Sequence, residues 1–113
     1  MSHSAKLKFV SDEIVENKKI RKTEELTVLK GSFNLGETYF KLTKIGETHI
    51  TLEIDESKSP KARFIVQKQI LGKTITVPLK SCNITMGNWF DFSDGTTNIK
   101  HAIYLAGINY VRG

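Results

Sequence analysis

Trp89 is the chain's only tryptophan, and it opens the run Trp89-Phe90-Asp91-Phe92. In extended backbone Phe90 and Phe92 share one face, while Trp89 and Asp91 share the other. Phe90 and Phe92 make the better core pair. That puts Trp89 on the wet side beside a carboxylate, where an indole can anchor a partner or stack on sugars and bases. Trp89 closing one end of a core fits the same run, and sequence alone tips slightly toward that second placement. A second candidate surface is the outer face of the hairpin expected over residues 62–80. It presents Arg63, Gln67, Gln69, Thr74, Thr76 and Lys80. With few acids among them these side chains suit an anionic partner, or form an ordinary solvated face. Tyr39, Trp89 and Tyr104 are the stacking candidates if the chain binds single-stranded nucleic acid.

Catalytic chemistry finds no local support. A nucleophile needs a base within reach and an acid to orient that base. Cys82 and His101 are the one thiol–imidazole pairing worth weighing. Cys82 shares its parity with Ile84 and Met86, which reads as inert core. His3 is expected on a loose tail and His49 on the wet face of a strand. One Cys and three scattered His lack the paired spacing of zinc sites. Asp91-Phe92-Ser93-Asp94-Gly95 lacks the alternating oxygen ligands and distal Glu of a calcium loop, and reads as a turn. The eight glycines are isolated, so no phosphate-cradling loop occurs. No catalytic residue, metal or cofactor is therefore expected.

The elements that position these residues are strands. Ile, Thr and Val number 12, 11 and 6 in a chain of 113, and such side chains pack well on a pleated sheet. Alanine, the best helix former, occurs only four times. Alternation predicts a hairpin of 39–45 with 48–54 around Gly46-Glu47, with Ile50, Leu52 and Ile54 turned inward. A second hairpin turns near Gly72, with Ile75, Val77 and Leu79 inward and Pro78 marking an edge. The apolar parity shifts between Leu79 and Cys82, which predicts a bulge or bend near Ser81. Residues 98–106 fit a helix or a central strand, and their β-branched and aromatic content favours the strand.

Residues 1–24 are the least determined. They read as a flexible arm, as a strand followed by a short helix capped by Ser11, or as two strands turning at Glu16-Asn17-Lys18. The expected fold is all-β, an antiparallel β-sandwich or small β-barrel of about seven to nine short strands with room for one short helix. Residues 1–113 are read as a single β-domain.

Net charge is +5, and residues 61–113 hold seven basic groups against two acidic ones. The excess is mostly Lys, which keeps sheet edges soluble and also tolerates acidic partners. No apolar run is long enough to span a membrane. A lone Cys82 and an N-terminus without the apolar stretch of a leader favour the cytoplasm. A secreted protein whose leader had been removed would read the same way. The functional expectation is a non-enzymatic interaction module with another protein, in particular an acidic one, as its partner. Single-stranded nucleic-acid binding on an OB-like barrel and a sugar- or small-ligand-binding sandwich are the alternatives. Self-association through an edge strand is also open.

Overall fold

The structure is a computed structural model that describes residues 3–111. Ten strands follow one another among these residues: β1 (Ser4–Val15), β2 (Lys18–Val28), β3 (Gly31–Leu35), β4 (Thr38–Ile45), β5 (His49–Ile54), β6 (Arg63–Ile70), β7 (Lys73–Leu79), β8 (Ser81–Thr85), β9 (Trp89–Ser93) and β10 (Ile99–Asn109). They form a six-stranded sheet in the order β2-β1-β10-β9-β6-β7 and a four-stranded sheet in the order β3-β4-β5-β8. Every pairing is antiparallel. Two open sheets make a β-sandwich, so the barrel alternative is set aside.

Turn chemistry explains the long hairpins. Glu16 and Asn17 both have positive φ, 49° and 64°, in a two-residue loop joining Val15 to Lys18. Leu71 and Gly72 do the same at 52° and 76° between Ile70 and Lys73. Positive φ at both central positions matches the right-handed twist of the flanking strands. The short helix expected after Ser11 is therefore not formed. Its apolar stripe of Ile14, Val15 and Ile20 was too thin to bury a helix, whereas the extended chain gains ladders to β2 and β10.

The core lies where the sheets face each other. Phe40 meets Phe92 edge-on at 5.1 Å, and Phe64 meets Phe90 likewise at 5.6 Å. Leu7, Leu42, Ile50, Leu52, Ile84, Ile103 and Leu105 fill the space around them. The inward residues predicted for the 48–54 strand are the buried ones, Ile50, Leu52 and Ile54. The parity shift at Ser81 has a larger cause than a bulge. The chain leaves one sheet after Leu79 and enters the other at Ser81, with the Lys80 carbonyl accepting from Ile54 N at 2.8 Å. Residues 99–109 are a central strand, as their composition favoured.

One expectation about β7 fails. Val77 is half-buried, but Ile75 and Leu79 are exposed. β7 is an edge strand of the wider sheet, and the narrower sheet does not extend over its inner face. Pro78 does sit on that edge, where a missing donor costs no interior ladder bond.

Candidate functional site

The six-stranded sheet carries a distinct cluster on each face. On the outer face, register brings separate segments into rows. Trp89 lies opposite Tyr104, which lies opposite Lys8. Asp91 lies opposite both Ala102 and Ile65, and Ala102 opposite Val10. The Trp89 and Tyr104 rings touch at 4.8 Å with a 39° tilt, and Trp89 is 50% exposed. The small side chain of Ala102 leaves a trough of about 510 Å³, lined by Val10, Ile65, Gln67, Trp89 and Asp91. Asp12 and Arg21 border it through a two-pronged contact of 2.7 and 3.0 Å, with Lys19 at 3.4 Å from the same carboxylate. The Arg21 bonds, opposed by burial and reinforced by Lys19, hold the Asp12 carboxyl down to about 2. Asp91 and Lys100 form no side-chain hydrogen bond or ion pair among the described residues.

The other residues singled out from sequence lie elsewhere. Arg63 donates to the carbonyls of Pro60 and Ala62 and pairs with Glu56 at 3.3 Å. Lys80 pairs with the same Glu56 at 3.1 Å. Gln69 sits opposite Thr74 toward the hairpin tip. Tyr39 belongs to β4 in the other sheet, with the Lys58 ammonium 5.0 Å from its ring centre. The stacking set of Tyr39, Trp89 and Tyr104 is therefore split between two sheets, because a sandwich separates what a closed barrel would have brought round. His3 is not loose: its ring stacks on Tyr110 at 4.6 Å and its Nδ1 accepts from Val111 N.

The inner face holds a cluster that spans the chain. Ser11 lies opposite His101, and their Oγ and Nδ1 are 2.6 Å apart. His101 Nε2 lies 2.9 Å from Asp94 Oδ2. Asp94 Oδ1 accepts from Thr96 N at 2.8 Å and Thr96 Oγ1 at 2.5 Å, closing the loop after β9. The imidazole packs against Phe9 at 5.6 Å and Phe92 at 4.8 Å, and those two rings also touch each other at 5.8 Å, all three nearly parallel. Beside it opens a cleft of about 520 Å³. Its floor is Phe9, Ser11 and His101, and the β3–β4 turn at Gly36-Glu37 forms the opposite wall.

No family model, curated protein or solved structure significantly matches this chain.

Sequence reasoning gave Ser11 only a capping role and Asp94 only a turn role, and missed their meeting at His101. His101 was weighed only with Cys82, but Cys82 is buried on β8 in the other sheet, where burial pushes its thiol up to about 12. Both ring nitrogens of His101 are already engaged by Ser11 and Asp94. One signal was available. The alternating core set Ala5, Leu7, Phe9 continues in the same parity to Ser11, so a hydroxyl stands where the next core side chain belongs.

Proposed function

We propose that this protein is an interaction module that receives another protein on the outer face of its six-stranded sheet. The observation that carries the reading is Trp89, half-exposed and stacked on Tyr104 at the edge of a trough. An aromatic held rigidly by a neighbour loses little freedom on binding, and such residues dominate interface energetics. The trough has room for one apolar side chain of the partner. Lys100 on its border, in no ion pair among the described residues, favours an acidic group beside that side chain. A saccharide is the second reading, because Asp91 and Gln67 share the trough with the aromatic pair and offer hydrogen bonds to hydroxyl groups. Nucleic acid has less support, since Lys8 is paired with Glu25 and Arg21 with Asp12.

The test is affinity capture from the source organism at low salt, comparing wild type with Trp89→Ala and with Lys58→Ala in the loop between β5 and β6. A protein retained by wild type and Lys58→Ala, but at least about thirtyfold more weakly by Trp89→Ala, is the expected result. Retention of nothing above background, or equal retention by all three, removes the reading. Glycan titration followed through Trp89 fluorescence separates the saccharide alternative.

A further inference from the structure

We propose that Ser11 is a nucleophile activated by His101, positioned to accept the acyl group of small uncharged or cationic esters. This goes beyond the docking reading and uses the opposite face of the same sheet.

The argument begins with the tautomer. An ionised carboxylate only accepts hydrogen bonds. Asp94 Oδ2 lies 2.9 Å from His101 Nε2, so with the imidazole neutral the ring proton sits on Nε2. Nδ1 is then an acceptor. The Ser11 hydroxyl, 2.6 Å away, must donate to it. The direction of that bond is what a general base requires of a serine. Nδ1 serves here as well as Nε2 would, because the carboxylate decides which nitrogen stays free. Two independent restraints preserve the geometry. Thr96 fixes Asp94 through its amide and hydroxyl, and the rings of Phe9 and Phe92 pack against the imidazole. The imidazole side chain is only 10% exposed, so its contacts act in a poorly solvated setting.

The cleft supplies the rest. Ser11 and His101 both line it, so the hydroxyl is reachable. Lys22 lies directly opposite Ser11 on the same face of β2 and is the cation nearest in register to the oxygen that would become negative. Ile20, Leu35 and Ile99 give apolar walls for an acyl chain. Glu13, Glu24 and Glu37 outnumber Lys22 around the cleft and disfavour anionic substrates.

The chemistry balances without an outside oxidant or reductant. Ser11 Oγ bonds to the ester carbonyl carbon as its proton passes to Nδ1. The carbon–oxygen bond to the leaving group breaks, and the leaving alkoxide takes that proton. Water then repeats the sequence on the acyl-serine, releasing the carboxylic acid and restoring the hydroxyl. Ser11 and His101 are the catalytic residues, and Asp94 is a positioning residue.

The probe is p-nitrophenyl butyrate, read by nitrophenolate release and by mapping the butyryl group with mass spectrometry. Ser11 is expected to be the first residue acylated, and Ser11→Ala abolishes that modification. Asp94→Asn slows it by about 10²-fold, the scale of general base catalysis. Long-range proton–nitrogen spectra of the wild type should show Nε2 protonated and Nδ1 bare. In Asp94→Asn the side-chain amide can donate to Nε2, and the pattern should invert. That shift in protonated nitrogen separates a positioning role from a merely structural one. Acylation confined to lysines, an unmodified Ser11, equal Ser11 rates in wild type and Asp94→Asn, or a wild-type spectrum with Nδ1 protonated would each overturn the proposal. If Asp94→Asn does not fold, the wild-type adduct and tautomer still decide it. Neither measurement involves Trp89 or a partner, so failure here leaves the docking reading standing.

Discussion

Replacing Trp89 with alanine should cost about 2 kcal/mol of folding stability, and the figure follows from its half-exposed place on β9. A buried tryptophan hides roughly 200 Å². Half of that, at about 25 cal/mol per Å², gives about 2.5 kcal/mol as an upper bound, because unfolded chains already hide some apolar surface. A realistic unfolded state lowers the figure to about 1.5 kcal/mol. The stack on Tyr104 restores roughly 0.5 kcal/mol or more. For 113 residues the unfolding entropy converts about 2 kcal/mol into a drop of about 8 °C in Tm. Phe92, 2% exposed three positions along, should cost about 3–5 kcal/mol when truncated to alanine. Phe90, only partly buried, should fall between the two. Urea and thermal unfolding followed by far-ultraviolet circular dichroism measure all three variants. Because Trp89 is the sole tryptophan, wild-type emission reports its surroundings alone, and acrylamide should quench it readily. A loss of about 4 kcal/mol or more with poorly quenched emission would make Trp89 a core residue and remove the anchor. A loss under about 0.5 kcal/mol would mean that Tyr104 does not hold the indole.

Cys82 should resist thiol reagents in the native protein and react at once in denaturant, since burial holds its thiol up to about 12; rapid native labelling would refute its placement on the inner face of β8. Leu71, at φ 52° and 98% exposed, occupies a left-handed position that asparagine tolerates better, so Leu71→Asn should raise stability by about 1 kcal/mol. An unchanged or lower unfolding midpoint would contradict that turn geometry. The Asp94 carboxyl lies below its ordinary value of 3.8, because burial, which raises it, is outweighed by bonds from Thr96 and His101. A depressed folded pKa gives stability that is full above the unfolded value and lost as pH falls through the folded one. The lead of wild type over Asp94→Asn in urea midpoint should therefore be full at about pH 6 and shrink below about pH 4; a lead that stays constant or grows on acidification would show that Asp94 is not held in its charged form.

How much of this was legible in the sequence depended on whether the deciding contacts were local. The 38–54 hairpin was readable because its alternation matches a strand with one covered face. The 63–79 hairpin was readable as backbone but not as burial. Ile75 and Leu79 alternate like core residues, yet the four-stranded sheet ends before it reaches them. The helix considered after Ser11 failed for a related reason. Ile14, Val15 and Ile20 are apolar without being buried, and no local pattern distinguishes an overhanging hairpin from a thin amphipathic helix. The Trp89 surface was legible in part, since strand parity alone separates Trp89 and Asp91 from Phe90 and Phe92. Its neighbours Tyr104, Ala102 and Val10 come from β10 and β1, and only sheet order brings them there. The inner cluster was illegible because Ser11 and His101 stand 90 positions apart.

Both the overhanging strands and the inner cleft follow from six strands facing four. A sandwich with unequal layers leaves inner-face positions of its wider sheet without cover at the margins. At the β7 margin those positions are apolar, and Ile75 and Leu79 remain exposed. Toward the β2 margin the sequence changes character where the cover ends. On β1 the inward parity runs Ala5, Leu7, Phe9 and then Ser11 and Glu13. On β10 it runs Leu105, Ile103 and then His101. On β2 it runs Val28, Leu26 and then Glu24 and Lys22. Three neighbouring strands thus turn polar at adjoining positions in register. Inner-face positions that lose their cover at the same level turn polar together, and Ile99 and Ile20, next in that parity, line the cleft beyond them. The β3–β4 turn overhangs that same stretch, so the polar side chains face a wall across the cleft instead of open solvent. The change from apolar to polar is visible along each strand, but only the pairing of β1 with β10 sets Ser11 beside His101.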